Sequence, residues 1–307
     1  MKFARPLDVY FTLVVAIVVA TRPIPFVRGP LAEVLGRLAH QLPSAKRRRS
    51  RAALRRAFGG SLSPEAERRA LRGAFVSFWR EVLGWRPATE DVAVEGLEHL
   101  RAALARGRGA ILWISRTFGL RGLSGEILHD HGFDLHVVHG PRHLEGFMTR
   151  HHDWSWVRRH VIRPFFDRRE LRWAAEIMDL PGGRSLAFTR ALEARLRANR
   201  VLRVAGDGPM GHRYLTLPFL GVYERFATGM VSLARATGAA LLPMFCYVDE
   251  SGRCRLVIEP PIEVARGDRE TSQSQALTRY ASLLEGYTRR HPDQFRSWHI
   301  VSSLWTE

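Results

Sequence analysis

Lysine is nearly missing from this chain: among 47 basic residues it stands only at Lys2 and Lys46, and the rest are arginine. Acidic residues number only 30, which leaves a formal net charge of +17 and a sequence isoelectric point of about 11.2. A chain with that balance seeks anionic surfaces, whether phospholipid headgroups, an acidic carrier protein or nucleic acid. Cysteine is scarce as well. Cys246 and Cys254 flank the turn "VDESGR", too few for a disulfide framework; they either pair across a hairpin or stay free thiols in a reducing compartment, and the free state is the expectation. No spacing of cysteine and histidine suits a structural zinc, and no aromatic and basic residues interleave in a repeat, which disfavours nucleic acid as a partner. No metal or cofactor is expected. Internal repeats and low-complexity segments do not occur, and no uninterrupted apolar run reaches the roughly 20 residues that comfortably span a bilayer.

One shorter apolar run stands out. "LDVYFTLVVAIVVA", Leu7 to Ala20, is broken only by Asp8 and Thr12, with Lys2 and Arg5 before it and Arg22 and Arg28 after it. No small-x-small cleavage site follows. Residues 1–28 are therefore expected to form an N-terminal membrane-anchor helix with its positive flanks toward the cytoplasm, at the cytoplasmic face of the inner membrane; a buried core helix is the alternative. "SAKRRRSRAALRRAF" puts Leu54, Ala57 and Phe58 on one helical face with arginines around the rest. Such a helix either lies on an anionic membrane or presents a solvated arginine face. "SPEAERRALRGAFVSFWREVLGW" follows, with Ser63 as cap, Pro64 at the first helical position, and Phe75, Phe78 and Trp79 facing a core.

From about Val92 the pattern alternates. "VEGLEHLRAALARGRG" reads as helix, "AILWIS" as strand, "RGLSGEILHDHG" as helix and "DLHVVH" as strand; later "ALEARLRANR" leads into "VLRVAG", and "GMVSLARATG" into "AALLPMFCYV" and "CRLVIEPPIEV". With 46% apolar content, residues 29–307 are expected to form a single α/β domain around a mostly parallel central sheet covered by helices. Ligand chemistry in such sheets gathers beyond the C-terminal strand ends. That points to Ser115–Gly122, His139–His143 and Gly206–His212.

Taken in order, several segments resemble the bacterial lipid A late acyltransferases, the lauroyl and myristoyl transferase group of the lysophospholipid acyltransferase superfamily. They are the N-terminal apolar run, "RAALRRAFGGSLSPEAERRALRGAF", "VEGLEHLRAALARGRGAIL", "AGDGPMG" followed by "LPFLG", "ATGMVSLARATGAALLPMF" and "HPDQFRSWH". The resemblance implies a membrane-bound α/β fold that moves an acyl chain from an acyl-carrier-protein or coenzyme A thioester to a lipid hydroxyl. An alcohol is a weak nucleophile near pH 7, so a histidine takes its proton while a carboxylate orients the imidazole. The family pattern His-x4-Asp/Glu aligns with Thr117 and Gly122, neither of which can do that work.

Two outcomes stay open: catalysis relocated, or a non-catalytic relative that binds lipid or acyl-carrier protein. His139, ending "DLHVVH", is a candidate replacement base, and Glu126, one helical turn past Gly122, a candidate carboxylate. The literal His-x4-Asp from His129 to Asp134 falls too late in the helix and is set aside. Arg116 and Arg142 are candidates for an anionic headgroup, and Asp207 matches the family's acidic residue after a core strand. The expected partners are acyl-carrier protein or acyl-coenzyme A and an anionic membrane lipid.

Overall fold

The computed structural model describes residues 6–42, 45–139, 156–181, 185–207, 213–265, 267–296 and 298. Its strands are β1 (Val92–Glu95), β2 (Ala110–Ile114), β3 (Leu135–His139), β4 (Ala174–Asp179), β5 (Val201–Ala205), β6 (Tyr214–Phe219), β7 (Val222–Ala227), β8 (Ala240–Val248) and β9 (Cys254–Ile258). The helices are α1 (Pro6–Ala20), α2 (Arg28–Gln41), α3 (Ala45–Ala57), α4 (Pro64–Leu83), α5 (Leu97–Ala105), α6 (Arg121–Asp130), α7 (Arg163–Glu170), α8 (Leu186–Arg197), α9 (Gly229–Thr237) and α10 (Arg269–Arg290).

Seven strands make one sheet in the order β1-β9-β8-β2-β5-β3-β4, and β6 and β7 form a separate antiparallel hairpin. From β8 to β4 every pairing is parallel; β9 runs against β8, and β1 lies parallel to β9. The mostly parallel α/β sheet is thus present. In its middle, β2, β5 and β8 are buried at every position, because helices cover both faces; apart from Arg203, which meets polar partners, their side chains are met by apolar neighbours on either face. On one face Trp113, Val204 and Phe245 pack with Val231 of α9 and Leu277 and Tyr280 of α10. On the other, Leu112, Ile114 and Met244 pack with Leu100 of α5 and Leu123, Ile127 and Leu128 of α6. Each such side chain contributes about 1.5–3 kcal/mol through burial.

The segment from Val94 departs from the uniform helix expected of it. Val92–Glu95 pairs with β9 as an edge strand, and Gly96, at φ 78°, turns the chain before α5 begins at Leu97. A four-residue strand is too short to register as a period.

A third cluster joins the helices that precede the sheet. Val14 and Val18 of α1 and Ala32 of α2 pack with Phe78, Trp79 and Leu83 of α4. Gly36 brings α2 against α4 so closely that a Cβ there would lie 2.7 Å from the Val76 Cα. The opposite side of this layer is apolar too, with Leu13 and Val19 59% and 52% exposed. No helix among the described residues is long and apolar enough to cross a membrane. Ser63 caps α4 by accepting from the Ala66 amide at 3.1 Å, and on α3 Leu54 and Ala57 face the core while Arg51 and Arg55 pair with Glu67 at 2.8 and 2.6 Å.

Cys246 and Cys254 are buried free thiols with their sulfurs 3.8 Å apart across β8 and β9. The turn between these strands is organised by Asp249, which accepts from the Ser251 amide and hydroxyl, the Arg253 amide and Arg255 Nε. Those donors, the Ser251 hydroxyl foremost, hold its carboxyl at about 2, below the ordinary aspartate value. A depressed carboxylate stabilises the fold above its unfolded pKa, and the contribution fades as pH falls toward the folded one. Asp249→Asn should therefore cost on the order of 1–2 kcal/mol in urea unfolding at about pH 7. The difference from the parent should shrink as pH is lowered below about 4.

Candidate functional site

The central strands β2 and β5 run side by side and in register, Ile114 opposite Ala205, so the chain leaves both at the same edge of the sheet. Gly206 N and the Tyr280 hydroxyl both donate to the Ile114 carbonyl, each at 2.8 Å, which finishes β2 squarely. Beyond it Ser115, Arg116 and Thr117 curl around Asp207, the second residue after β5. Asp207 is 2% exposed. Its Oδ1 accepts from the Arg116 amide at 2.5 Å; its Oδ2 accepts from the Ser115 hydroxyl at 2.9 Å, the Thr117 hydroxyl at 2.5 Å and the Thr117 amide at 3.1 Å. The Ser115 hydroxyl oxygen in turn accepts from the Thr117 and Phe118 amides at 3.1 and 2.9 Å. Successive amides aimed at one carboxylate form a concave receptor for negative charge, here filled by the protein's own side chain.

The far side of the loop is fastened by a distant segment. Gly119 N donates to the Gln294 carbonyl, Arg296 N to the Thr117 carbonyl, and Arg296 Nη2 to the Arg116 carbonyl, at 3.0, 2.8 and 2.9 Å. Gly119 has φ 68° and sits where a Cβ would lie 1.9 Å from the Cys246 carbonyl oxygen, so no other residue fits without moving β8.

At the start of α6 the amide of Gly122 donates to both oxygens of Glu81, at 3.1 and 3.2 Å. A Cβ at Gly122 would stand 3.7 Å from both Glu81 Oε1 and Arg169 Nη2. A carboxylate therefore reaches this helix end from α4. It satisfies an amide that lacks an intrahelical acceptor and lies favourably toward the positive end of the helix dipole. Sequence reasoning passed over Glu81, because its partner is 41 positions away.

The remaining candidates fall in different surroundings. His139 is buried, and its Nε2 lies 2.7 Å from Glu170 Oε2 of α7. Glu170 Oε1 lies 3.7 Å from Arg203 Nη1, in the middle of β5. Arg203 also donates to the Arg121 carbonyl and, at 3.1 Å, to the Ser124 hydroxyl, and it lies over the Trp173 ring. Burial lowers its pKa to about 10. Glu126 faces Arg86, at 3.8 Å, and Arg86 also pairs with Asp130. His129 and Asp134 are both exposed. Arg142 lies outside the described residues. The structure thus brings Arg116, Thr117 and Asp207 together and gives His139 a carboxylate partner, Glu170, that spacing along α6 did not suggest.

A family model for bacterial lipid A biosynthesis acyltransferases matches residues 2–306. The chain belongs to that family. Among curated relatives it is similar to a phosphatidylinositol mannoside acyltransferase of Mycobacterium tuberculosis, 27% identical over 240 residues that cover 74% of this chain and 66% of that protein. It is equally similar to the protein of that name from Mycolicibacterium smegmatis, 27% identical over 247 residues, 77% of this chain and 71% of that one. A lipid A biosynthesis acyltransferase of Haemophilus influenzae is 23% identical over 205 residues, 65% of this chain and 55% of its own length. The match thus spans just under two thirds of the length of the first relative.

In this member of the acyltransferase family, the side chain of Thr117 bonds inward to Asp207. Thr117→Val, which keeps the shape and removes the hydroxyl, should leave the buried carboxylate short of a donor and cost about 1–3 kcal/mol in urea unfolding. Thr117→Ser should retain most of the stability.

Proposed function

We infer that this chain transfers an acyl group from an acyl-carrier-protein or coenzyme A thioester to a lipid acceptor, with catalytic groups altered from the family's. In this reading Thr117 and Gly122 occupy the places of the family's histidine and carboxylate, and acid-base chemistry passes to His139 oriented by Glu170. The observation that carries it is the 2.7 Å contact between His139 Nε2 and Glu170 at the C-terminal end of β3, the sheet edge that also holds Thr117 and Asp207. A carboxylate on one imidazole nitrogen sets the tautomer and stabilises the imidazolium formed when a hydroxyl is deprotonated. Glu126 has no part in this pair.

A second reading, a relative that binds lipid or acyl-carrier protein without transfer, is favoured by the Thr117 hydroxyl being committed to Asp207 at 2.5 Å. The two readings part in one experiment. Purified protein incubated with acyl-carrier-protein and coenzyme A thioesters and a lipid extract should yield newly acylated lipid by mass spectrometry. His139→Gln should lower the rate by about 10²- to 10⁴-fold. Product absent from the parent protein supports the binding relative; unchanged turnover in the variant removes His139 from the mechanism.

The same reading sets the chain on an anionic membrane. Val34, Leu38 and Leu42 form an exposed apolar stripe at helical spacing along α2 and its end, Phe26 is 76% exposed just before it, and Arg22, Arg48 and Arg49 are exposed nearby in sequence. Apolar side chains in the acyl boundary with arginines at the headgroups is the arrangement of an interfacial helix layer. Vesicles rich in phosphatidylglycerol should co-sediment the full chain. Phe26→Ser with Leu38→Ser should weaken that binding several-fold, and about 0.5 M salt should weaken it further by screening.

A further inference from the structure

Three arginines are buried among the described residues: Arg116, Arg203 and Arg296. Two are bonded through their side chains. Arg203 meets Glu170, Ser124 and the Arg121 carbonyl, and Arg296 donates to the Arg116 carbonyl. Arg116 differs. It is 4% exposed, and its Nε and Nη2 are shielded from solvent without a hydrogen-bond partner.

Nothing about its backbone is loose. The Arg116 amide donates to Asp207 at 2.5 Å and its carbonyl accepts from Arg296 at 2.9 Å, so the root of the side chain is fixed on both sides. Asp207 does not serve the guanidinium. Its oxygens take two amides and two hydroxyls, with three of those four bonds crowded on Oδ2. Buried guanidinium nitrogens without acceptors are costly, and an anionic ligand would supply the partner that the protein does not. Nε and Nη2 lie on one rigid plane, a geometry that matches two oxygens of a single tetrahedral anion.

We propose that Arg116 is the receptor for one phosphate group of a bound ligand at the C-terminal edge of β2. The proposal rests on the acyl-transfer reading for its choice of anion, because that reading's donors and lipid acceptors bear phosphate. The receptor belongs to this chain's own loop, Ser115–Thr117, held in place by Asp207. Its position next to Thr117 puts the bound phosphate beside the residue that stands where the family's base would be, so the site orients a substrate and takes no proton.

The test measures binding and stability apart from turnover. Full-length protein in detergent is titrated by calorimetry with coenzyme A, with phosphatidylinositol in mixed micelles, and with inorganic phosphate, alongside Arg116→Gln and Arg116→Lys. Either coenzyme A or phosphatidylinositol should bind the parent, and Arg116→Gln should weaken that probe about 10- to 100-fold. Arg116→Lys should recover part of the loss. Which probe responds says whether the phosphate comes from donor or acceptor. The responding probe should raise the melting temperature of the parent but not of Arg116→Gln. Without ligand, Arg116→Gln should melt no lower than the parent, since it removes an unpaired buried charge; a large drop would mark a structural arginine and overturn the proposal. So would equal binding in parent and variant, or binding of inorganic phosphate alone. Phosphate binding without any acylated product would leave the receptor standing and remove the transfer reading. Product formation with binding indifferent to Arg116 would do the reverse.

Discussion

Asp207 lies between the exits of β2 and β5, and a carboxylate so deeply buried is tolerated only because four donors from Ser115, Arg116 and Thr117 converge on it. Those bonds dictate the rest of the edge. They hold Thr117 inward, fix the root of Arg116, and hand the chain to Gly119 at the angle that lets it pass under the Cys246 carbonyl. Leu120 N then bonds that same carbonyl at 2.7 Å, and α6 follows one residue later. Placement of the helix that covers one face of the sheet is therefore tied to a polar contact at the sheet's edge.

The middle of the fold was legible because its strands are buried on both faces. "AILWI", "VLRVA" and "ALLPMFCYV" are nearly continuous apolar runs, and apolar content alone suffices to recognise them. The edges were less so. β1 has four half-buried or exposed residues and no distinctive pattern, and β4, "AAEIMD", mixes buried Ala174 and Met178 with exposed Ala175 and Asp179. Strands of that kind exist because a neighbour offers them a ladder, and the neighbour is not visible in their own residues. The hairpin of β6 and β7 has the same character.

At the site, the positions were legible and the partners were not. The rule that ligands gather past the strand ends singled out the segments holding Thr117, His139 and Asp207. Helix spacing then nominated Glu126 as the displaced carboxylate, but the carboxylates found beside His139 and at the Gly122 amide, Glu170 and Glu81, come from α7 and α4. Tertiary packing of helices carries those side chains in, and no local period encodes it. The same limit hid the distinction between Arg116 and the chain's many other arginines. Position past a strand end nominated Arg116, but nothing in the sequence marks its Nε and Nη2 as shielded from water without a partner.

The clasp of Gln294 and Arg296 on the loop after β2 bears on the order in which the molecule is made. Arg116 and Arg296 stand 180 positions apart, so the loop emerges from the ribosome long before the segment that fastens it. Until then the Thr117 and Arg116 carbonyls and the Gly119 amide lack those partners and depend on water. Contacts of such long sequence separation form late, after the loop-closure entropy has been overcome. A nascent chain can thus complete much of its sheet while the site edge stays unset, and the edge becomes rigid only when almost the whole domain has been synthesised.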